Sequence, residues 1–247
     1  MDGFKVLLND DKVAKDVICS FYDGAITLPW DTDYANSFSV EECELFLKKL
    51  NTISADELLD ILEQSDLDLE RYFDATNVPQ FSDLDFSDQV ILIVVVNQGI
   101  SYKEIGYYYN KNNEAGAQTK YGENHYKLAS LLGQVKRCLP TEVTSLGKAY
   151  LDGMDCDTRA DVKVKLALRI PIVRYILIKA RHSFVNVSKL LSNVKKNERE
   201  NMSYSTACRR RSNIKRLVEN YACLCSNEID IISNIRWKIE KSDFLAK

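Results

Sequence analysis

Apolar residues recur along this chain mainly at helical spacing, in short blocks separated by polar connectors rich in capping residues. Over residues 1–78 the blocks read as short helices with acidic first turns, which the helix dipole favours. Ser39 with Glu42 three positions on has the capping-box layout, in which two orphan amide donors are satisfied reciprocally, and Leu45, Leu47 and Leu50 follow. Ser54 with Glu57 repeats the device ahead of Leu58, Leu59, Ile61 and Leu62. Pro79 and the cap-type residues after it then mark a boundary before a new apolar run.

From Phe86 the order of elements becomes informative. Ser87 and Asp88 are placed to cap a helix over 90–96, ended by Asn97, Gln98 and Gly99. Ser101 and Glu104 open a second short helix that continues through Ile105 to Tyr109. A polar loop over 110–116 leads to a third helix of roughly 15 residues, in which Tyr121, Leu128, Leu131 and Leu132 keep a helical period and Gly133 is a C-terminal stop. Residues 135–139 and 142–144 read as the strands of a hairpin, and 146–151 closes the unit. Helix, turn, helix, loop, helix, hairpin is the order of a winged helix, whose second helix braces a third that can enter a major groove.

The order recurs further on. Apolar helical positions run over 162–168 and, after Pro171, through Ile172, Val173, Ile176 and Leu177 to Ala180. Residues 186–192 form a short second helix, and Ser203 or Ser205 caps a third that reaches about Asn220. Cys223 to Cys225 and Ile229 to Ile232 are positioned to make the hairpin. The expected fold is mainly α: tandem winged helix-turn-helix domains with short β-hairpin wings, preceded by an acidic helical segment. The corresponding divisions are residues 1–80, 81–155 and 156–247.

Composition narrows the class without changing that picture. With 45% apolar and 28% charged residues, the chain has an ordinary globular balance. Its best apolar run, over 90–96, falls far short of the ~18 residues a membrane span needs. The first residues lack the basic-then-apolar layout of a signal peptide. The seven cysteines are scattered, and the Cys223/Cys225 pair offers two ligands where a structural zinc site uses four. The expectation is a cytoplasmic protein with reduced cysteines, no metal, no cofactor and no membrane.

Charge does change the picture. The net charge of -3 conceals 21 acidic against 6 basic side chains over residues 1–90, a balance of +3 over 91–150, and +9 over 151–247. Such asymmetry points to an interaction surface at the basic end. The acidic end reads as a solvated face, a protein-docking surface or a DNA-like decoy.

The third helices carry the candidate chemistry. In the second of them Ala207, Ile214, Leu217, Val218 and Tyr221 form one apolar stripe. Thr206, Arg209, Arg210, Asn213 and Arg216 are then expected to face outward, flanked by Arg211 and Lys215. Arginine can bond guanine bidentately, asparagine can do so with adenine, and Ser205 and Thr206 suit phosphate oxygens at the helix start. A triple arginine also suits a solvated or acid-pairing face. The first unit has a thinner version: Gln118, Thr119, Lys120, Asn124, His125 and Lys127 on the helix, with Lys136 and Arg137 on the wing. His125 is equally suited to packing or capping, and His182 reads as structural.

The chain resembles the paired winged-helix DNA-binding region of some type II restriction endonucleases and related restriction-modification proteins. The first unit matches through Tyr121 to Val135 and through Val143, Thr144 and Gly147. The second, more specific match is Pro171, Ile172 and Arg174, followed by Ser203, Ser205, Thr206, Arg209, Arg210, Ser212, Asn213 and Ile214. Gln134 stands where that group has an apolar residue, and Asn213 where it has threonine. The resemblance covers residues 84–240 and implies sequence-reading of double-stranded DNA in restriction-modification or phage defence, with a separate nuclease or methyltransferase subunit as a further partner.

No catalytic set accompanies it. Asp161 and Lys163 spell the short part of a restriction-nuclease motif but fall at a helix start. There is no Gly-rich phosphate loop, zinc-protease pair or serine elbow. The expectation is therefore a binding protein rather than an enzyme. A restriction endonuclease whose catalytic site is unrecognised or lost, and a protein-interaction module, remain the alternatives.

Overall fold

The computed structural model describes residues 8, 10–28, 37–112, 114–137 and 139–245, and over these the chain is mainly helical. It packs as two compact units, each assembled from two separate stretches. The first takes Met1–Ile53 and Asp83–Arg169, the second Ser54–Ser82 and Ile170–Lys247. The packing thus divides the chain differently from the expected boundaries at 80/81 and 155/156. The acidic first third is shared between the two units, because its helices bury their apolar faces against partners far along the chain.

The first unit contains α1 (Asp11–Thr27), α2 (Val40–Thr52), α4 (Leu84–Val96), α5 (Tyr102–Tyr109), α6 (Ala115–Leu131), α7 (Ser145–Gly153) and α8 (Cys156–Leu166). The reciprocal capping boxes at Ser39/Glu42 and Ser101/Glu104 both form. α4 begins earlier than expected, capped by Asp83, and Ser87 is buried with its hydroxyl donating to the Leu84 carbonyl at 2.6 Å. Gly133 ends α6 at φ +83°, a backbone conformation that favours glycine. α5 and α6 approach closely enough that a Cβ on Gly106 or Gly122 would lie 1.8 Å from a backbone oxygen of the other helix.

The expected first hairpin is reduced to a single antiparallel bridge between Val135 and Val143, flanked by bonds from Lys136 N to Glu142 O and from Thr144 N to Gln134 O. Cys138, within the expected first strand, lies outside the described residues. Two basic side chains are built into this core. The Lys165 ammonium donates to the carbonyls of Leu50, Asn51 and Ile53 at the end of α2, and Arg169 lies over the Phe21 ring at 4.5 Å.

The second unit contains α3 (Ala55–Glu63), a 3-10 turn at Leu69–Tyr72, α9 (Pro171–Ala180), β1 (Val185–Asn186), α10 (Val187–Asn193), α11 (Tyr204–Ala222), α12 (Glu228–Ser233) and β2 (Ile235–Arg236). Pro171 occupies the first turn of α9, where its missing N–H has no helical partner to lose. The second hairpin wing expected at 223–232 is not present. Residues 228–233 are helical, burying Ile231, and the strand that follows pairs in parallel with β1, Val185 opposite Ile235. A partner some fifty positions upstream thus replaces the neighbouring hairpin arm. The apolar run 162–180 is also split: its first part belongs to α8 of the first unit and its second to α9.

This division rearranges the charge. Residues 54–82 carry eight acidic side chains and one basic, and 170–247 carry sixteen basic and seven acidic, so the second unit has a net charge of only +2. Arg181 pairs with Asp60 and, at 3.3 Å, with Glu63, while the His182 Nε2 lies 2.8 Å from Glu63. The buried Arg174 donates to the Leu62 carbonyl at 3.1 Å. Part of the basic end is therefore consumed in holding α3.

Candidate nucleic-acid interface

α11 is the organising element of the candidate surface. Ser203 caps it by accepting from the Thr206 amide, leaving the neighbouring first-turn amides and the positive end of the helix dipole available to an anion. Ala207, Ile214, Leu217, Val218 and Tyr221 are fully buried, as the wheel requires. On the opposite side Ser205, Arg209, Ser212 and Arg216 form an exposed stripe. Arg209 donates to the Thr206 hydroxyl at 3.3 Å, and Lys215 pairs with Glu219 at 3.5 Å. Among the described residues no acidic side chain pairs with Arg209, Arg211 or Arg216.

Two of the residues expected on that outward face are covered. The Arg210 guanidinium turns onto the carbonyls of Ala75, at 3.0 Å, and Val78, and burial holds its pKa below the usual arginine value. The Asn213 amide donates to the Gln80 carbonyl at 2.6 Å and accepts from the Ser82 hydroxyl at 3.2 Å. With these bonds made, neither side chain is presented for bidentate base contact. The covering strap, residues 75–82, lies some 130 positions away in sequence, so a helix wheel assigns its footprint to solvent.

At the start of α11 a groove of about 720 Å³ is lined by Lys195, Lys196, Arg199, Ser203, Tyr204 and Lys241. Lys196 has an acidic neighbour, Glu200, at 2.8 Å. The Lys195 backbone bonds to Phe73 and Ala75, and an antiparallel bridge to Asn201, with Met202 N donating to the Val194 carbonyl at 2.8 Å, sets it beside the helix start. The groove sets these cations beside the first turn of α11, a combination that favours anions. The cations at 195, 196 and 199 are visible in the sequence, but their convergence on the α11 cap depends on the intervening turn.

The first unit supplies much less. Lys120 is exposed and lies 3.8 Å from Glu123, Lys127 pairs with the same carboxylate at 2.6 Å, and Lys136 pairs with Glu142 at 2.7 Å. Arg137 is half-buried. Asn124 and His125 are buried, contrary to an outward base-reading role. The His125 ring lies 4.4 Å from those of both Phe86 and Tyr109. Burial pushes its pKa down to about 4, against an opposing pull from Asp83, so the imidazole is neutral at neutral pH. The wheel misplaced this face because α6 is enclosed by neighbours on more sides than one apolar stripe implies.

No protein-family model, curated protein or solved structure matches this chain.

Asp161 and Lys163 both lie within α8, and Lys163 reaches Asp85 at 2.6 Å and Asp88 at 3.4 Å on α4. Asp88 also accepts from the Tyr150 hydroxyl at 2.9 Å, and burial raises its pKa. This cluster ties α4, α7 and α8 together. Among the described residues no helix is long and apolar enough to cross a membrane.

Proposed function

We propose that this chain binds double-stranded DNA through the exposed face of α11. Arg209 and Arg216 reach the duplex, while Ser205, Thr206, Lys195 and Arg199 contact phosphates. The observation that carries the reading is the stripe Ser205, Arg209, Ser212, Arg216, whose arginines have no acidic partner among the described residues although fifteen acidic side chains share the unit. The two arginines are two helical turns apart, about 10 Å along the axis, a spacing that lets one helix touch successive base pairs or phosphates.

On this reading the helix–turn–helix–loop–helix run over 84–131, closed by the Val135–Val143 bridge, is a winged helix-turn-helix, and α10 braces α11 in a second one with an altered wing. The tie to restriction-modification or phage defence, and to a separate nuclease or methyltransferase subunit, rests on the motif resemblance at 171–174 and 203–214. The chain itself is read as the binding partner and not the catalyst.

The test is duplex binding by the full chain across a salt series, with targets selected from random duplexes. The Arg209→Ala/Arg216→Ala double variant should flatten the slope of log affinity against log salt by about 0.9 for each phosphate no longer neutralised. If either arginine reads a base, selectivity at one position should also fall by roughly 1–3 kcal/mol. Duplex binding that ignores salt, or that survives the double variant unchanged, would remove the proposal.

A further inference from the structure

A second candidate binding surface lies in the first unit, on α5. The helix has the sequence YKEIGYYY, and its Tyr107 and Tyr108 are 47% and 54% exposed. Aromatic side chains bury large areas when they serve a core, and these two leave about half of theirs open to a ligand. Their centroids are 6.5 Å apart at an interplanar angle of 74°, and the Lys111 ammonium stands 5.9 Å above the Tyr107 ring. The rings wall a groove of about 600 Å³ whose other side is formed by Asn97, Gln98, Gly99 and Ile100. That volume falls within the ~300–1,000 Å³ typical of small-ligand sites.

The rim opposite the tyrosines is held in place. Gly99 adopts φ +76° and its N–H donates to the Thr141 carbonyl at 3.1 Å, while the Thr141 hydroxyl donates to the Ile100 carbonyl at 2.7 Å. Asn97 spends one amide hydrogen on the Ile93 carbonyl, leaving its oxygen to accept. The exposed Gln98 carboxamide makes no hydrogen bond among the described residues, so it offers both a donor and an acceptor. Lys103 is exposed one turn ahead of Tyr107 on the same helix face. The acidic residue at the groove, Glu104, has its carboxylate engaged by the Ser101 amide and hydroxyl at 3.0 and 2.6 Å.

Aromatic faces, a carboxamide able to pair with a base edge, and flanking ammonium groups are together the elements of a single-strand platform. We propose that this groove takes an unpaired nucleobase of single-stranded nucleic acid, stacked on Tyr107 or Tyr108, with Lys103 and Lys111 against its phosphates. A proline-rich peptide would use the rings and leave both lysines without a partner, so the charge favours the polynucleotide. Bases inside a duplex are already stacked and cannot enter. The site is therefore separate in ligand, as well as in residues, from the α11 face, and it does not rest on the duplex proposal.

The experiment uses the full chain and a fluorescent oligothymidylate of about 12 nucleotides, read by anisotropy. The Tyr107→Ala/Tyr108→Ala double variant, with its circular dichroism unchanged, should bind about five- to 150-fold more weakly, the loss expected for one stacked base. The Tyr107→Phe/Tyr108→Phe variant should recover that loss, since stacking needs the ring and not the hydroxyl. Lys111→Ala should reduce the salt slope by about 0.7. An abasic sugar–phosphate oligomer of the same length should bind weakly and be indifferent to the tyrosines. The fold loss should persist in the Arg209→Ala/Arg216→Ala background, which separates its failure from failure of the duplex reading. Equal binding of the abasic oligomer, unchanged oligothymidylate affinity in the double alanine variant, or tyrosine-dependent capture of a proline-rich peptide in its place would overturn the inference.

Discussion

Acidification should destabilise the first unit in a way that traces in part to one imidazole, His125. Its side chain is enclosed against Phe86 and Tyr109, and burial lowers its pKa from 6.5 to about 4. In the unfolded chain the imidazole takes up its proton near the ordinary value, so the unfolded state binds more protons throughout the interval between. The stabilising effect of the neutral form is therefore complete above about pH 6.5. It declines as pH falls through the window and is gone below about pH 4. At 1.36 kcal/mol per unit of pKa the whole window is worth roughly 3 kcal/mol, a large fraction of a typical 5–15 kcal/mol stability. Urea unfolding followed across this range should show that loss, superimposed on the loss from carboxylates. His125→Phe keeps a ring in the same place and removes the proton site, so its stability should fall less on acidification by about that amount. The imidazole can also be titrated directly by NMR. A His125 pKa at or above about 6.5, or a Phe variant with the wild-type pH slope, would show that this side chain is not buried as described.

Three further outcomes follow from close contacts. Gly122→Ala should cost more than ~3 kcal/mol in urea unfolding, since its Cβ would meet the Tyr102 carbonyl at 1.8 Å, whereas Gly116→Ala, with open space around it, should be neutral or stabilising; equal effects would contradict the α5–α6 approach. Lys165→Met should lower stability by about 1–3 kcal/mol by leaving the Leu50, Asn51 and Ile53 carbonyls without their shared donor, and an unchanged melting curve would refute that role. Arg210→Met should cost a similar ~1–3 kcal/mol through the Ala75 and Val78 carbonyls yet leave the salt slope of duplex binding intact. A slope reduced by about 0.9 would instead place that guanidinium on DNA.

Much of the local structure is legible along the chain itself. The capping boxes at Ser39 and Ser101, the glycine stop at Gly133 and the buried stripe from Ala207 to Tyr221 all appear where the pattern puts them. Each depends on residues within a few turns of one another. A hydroxyl three positions from an amide, or apolar residues at helical spacing, produces the same local preference wherever the segment lies.

Tertiary packing decided the rest. It divided the acidic third between two units, and it paired β2 in parallel with β1 in place of a second hairpin. It also turned Arg210 and Asn213 from presumed readers into anchors for residues 75–82, and enclosed His125 among aromatic rings. A polar residue on a helix reaches solvent only if no distant segment gains more by covering it. That balance is struck between side chains more than a hundred positions apart, whose contact depends on how the whole chain buries its apolar faces. No periodicity along the chain carries it. The exposed arginines of α11 and tyrosines of α5 are among the positions that such covering left available.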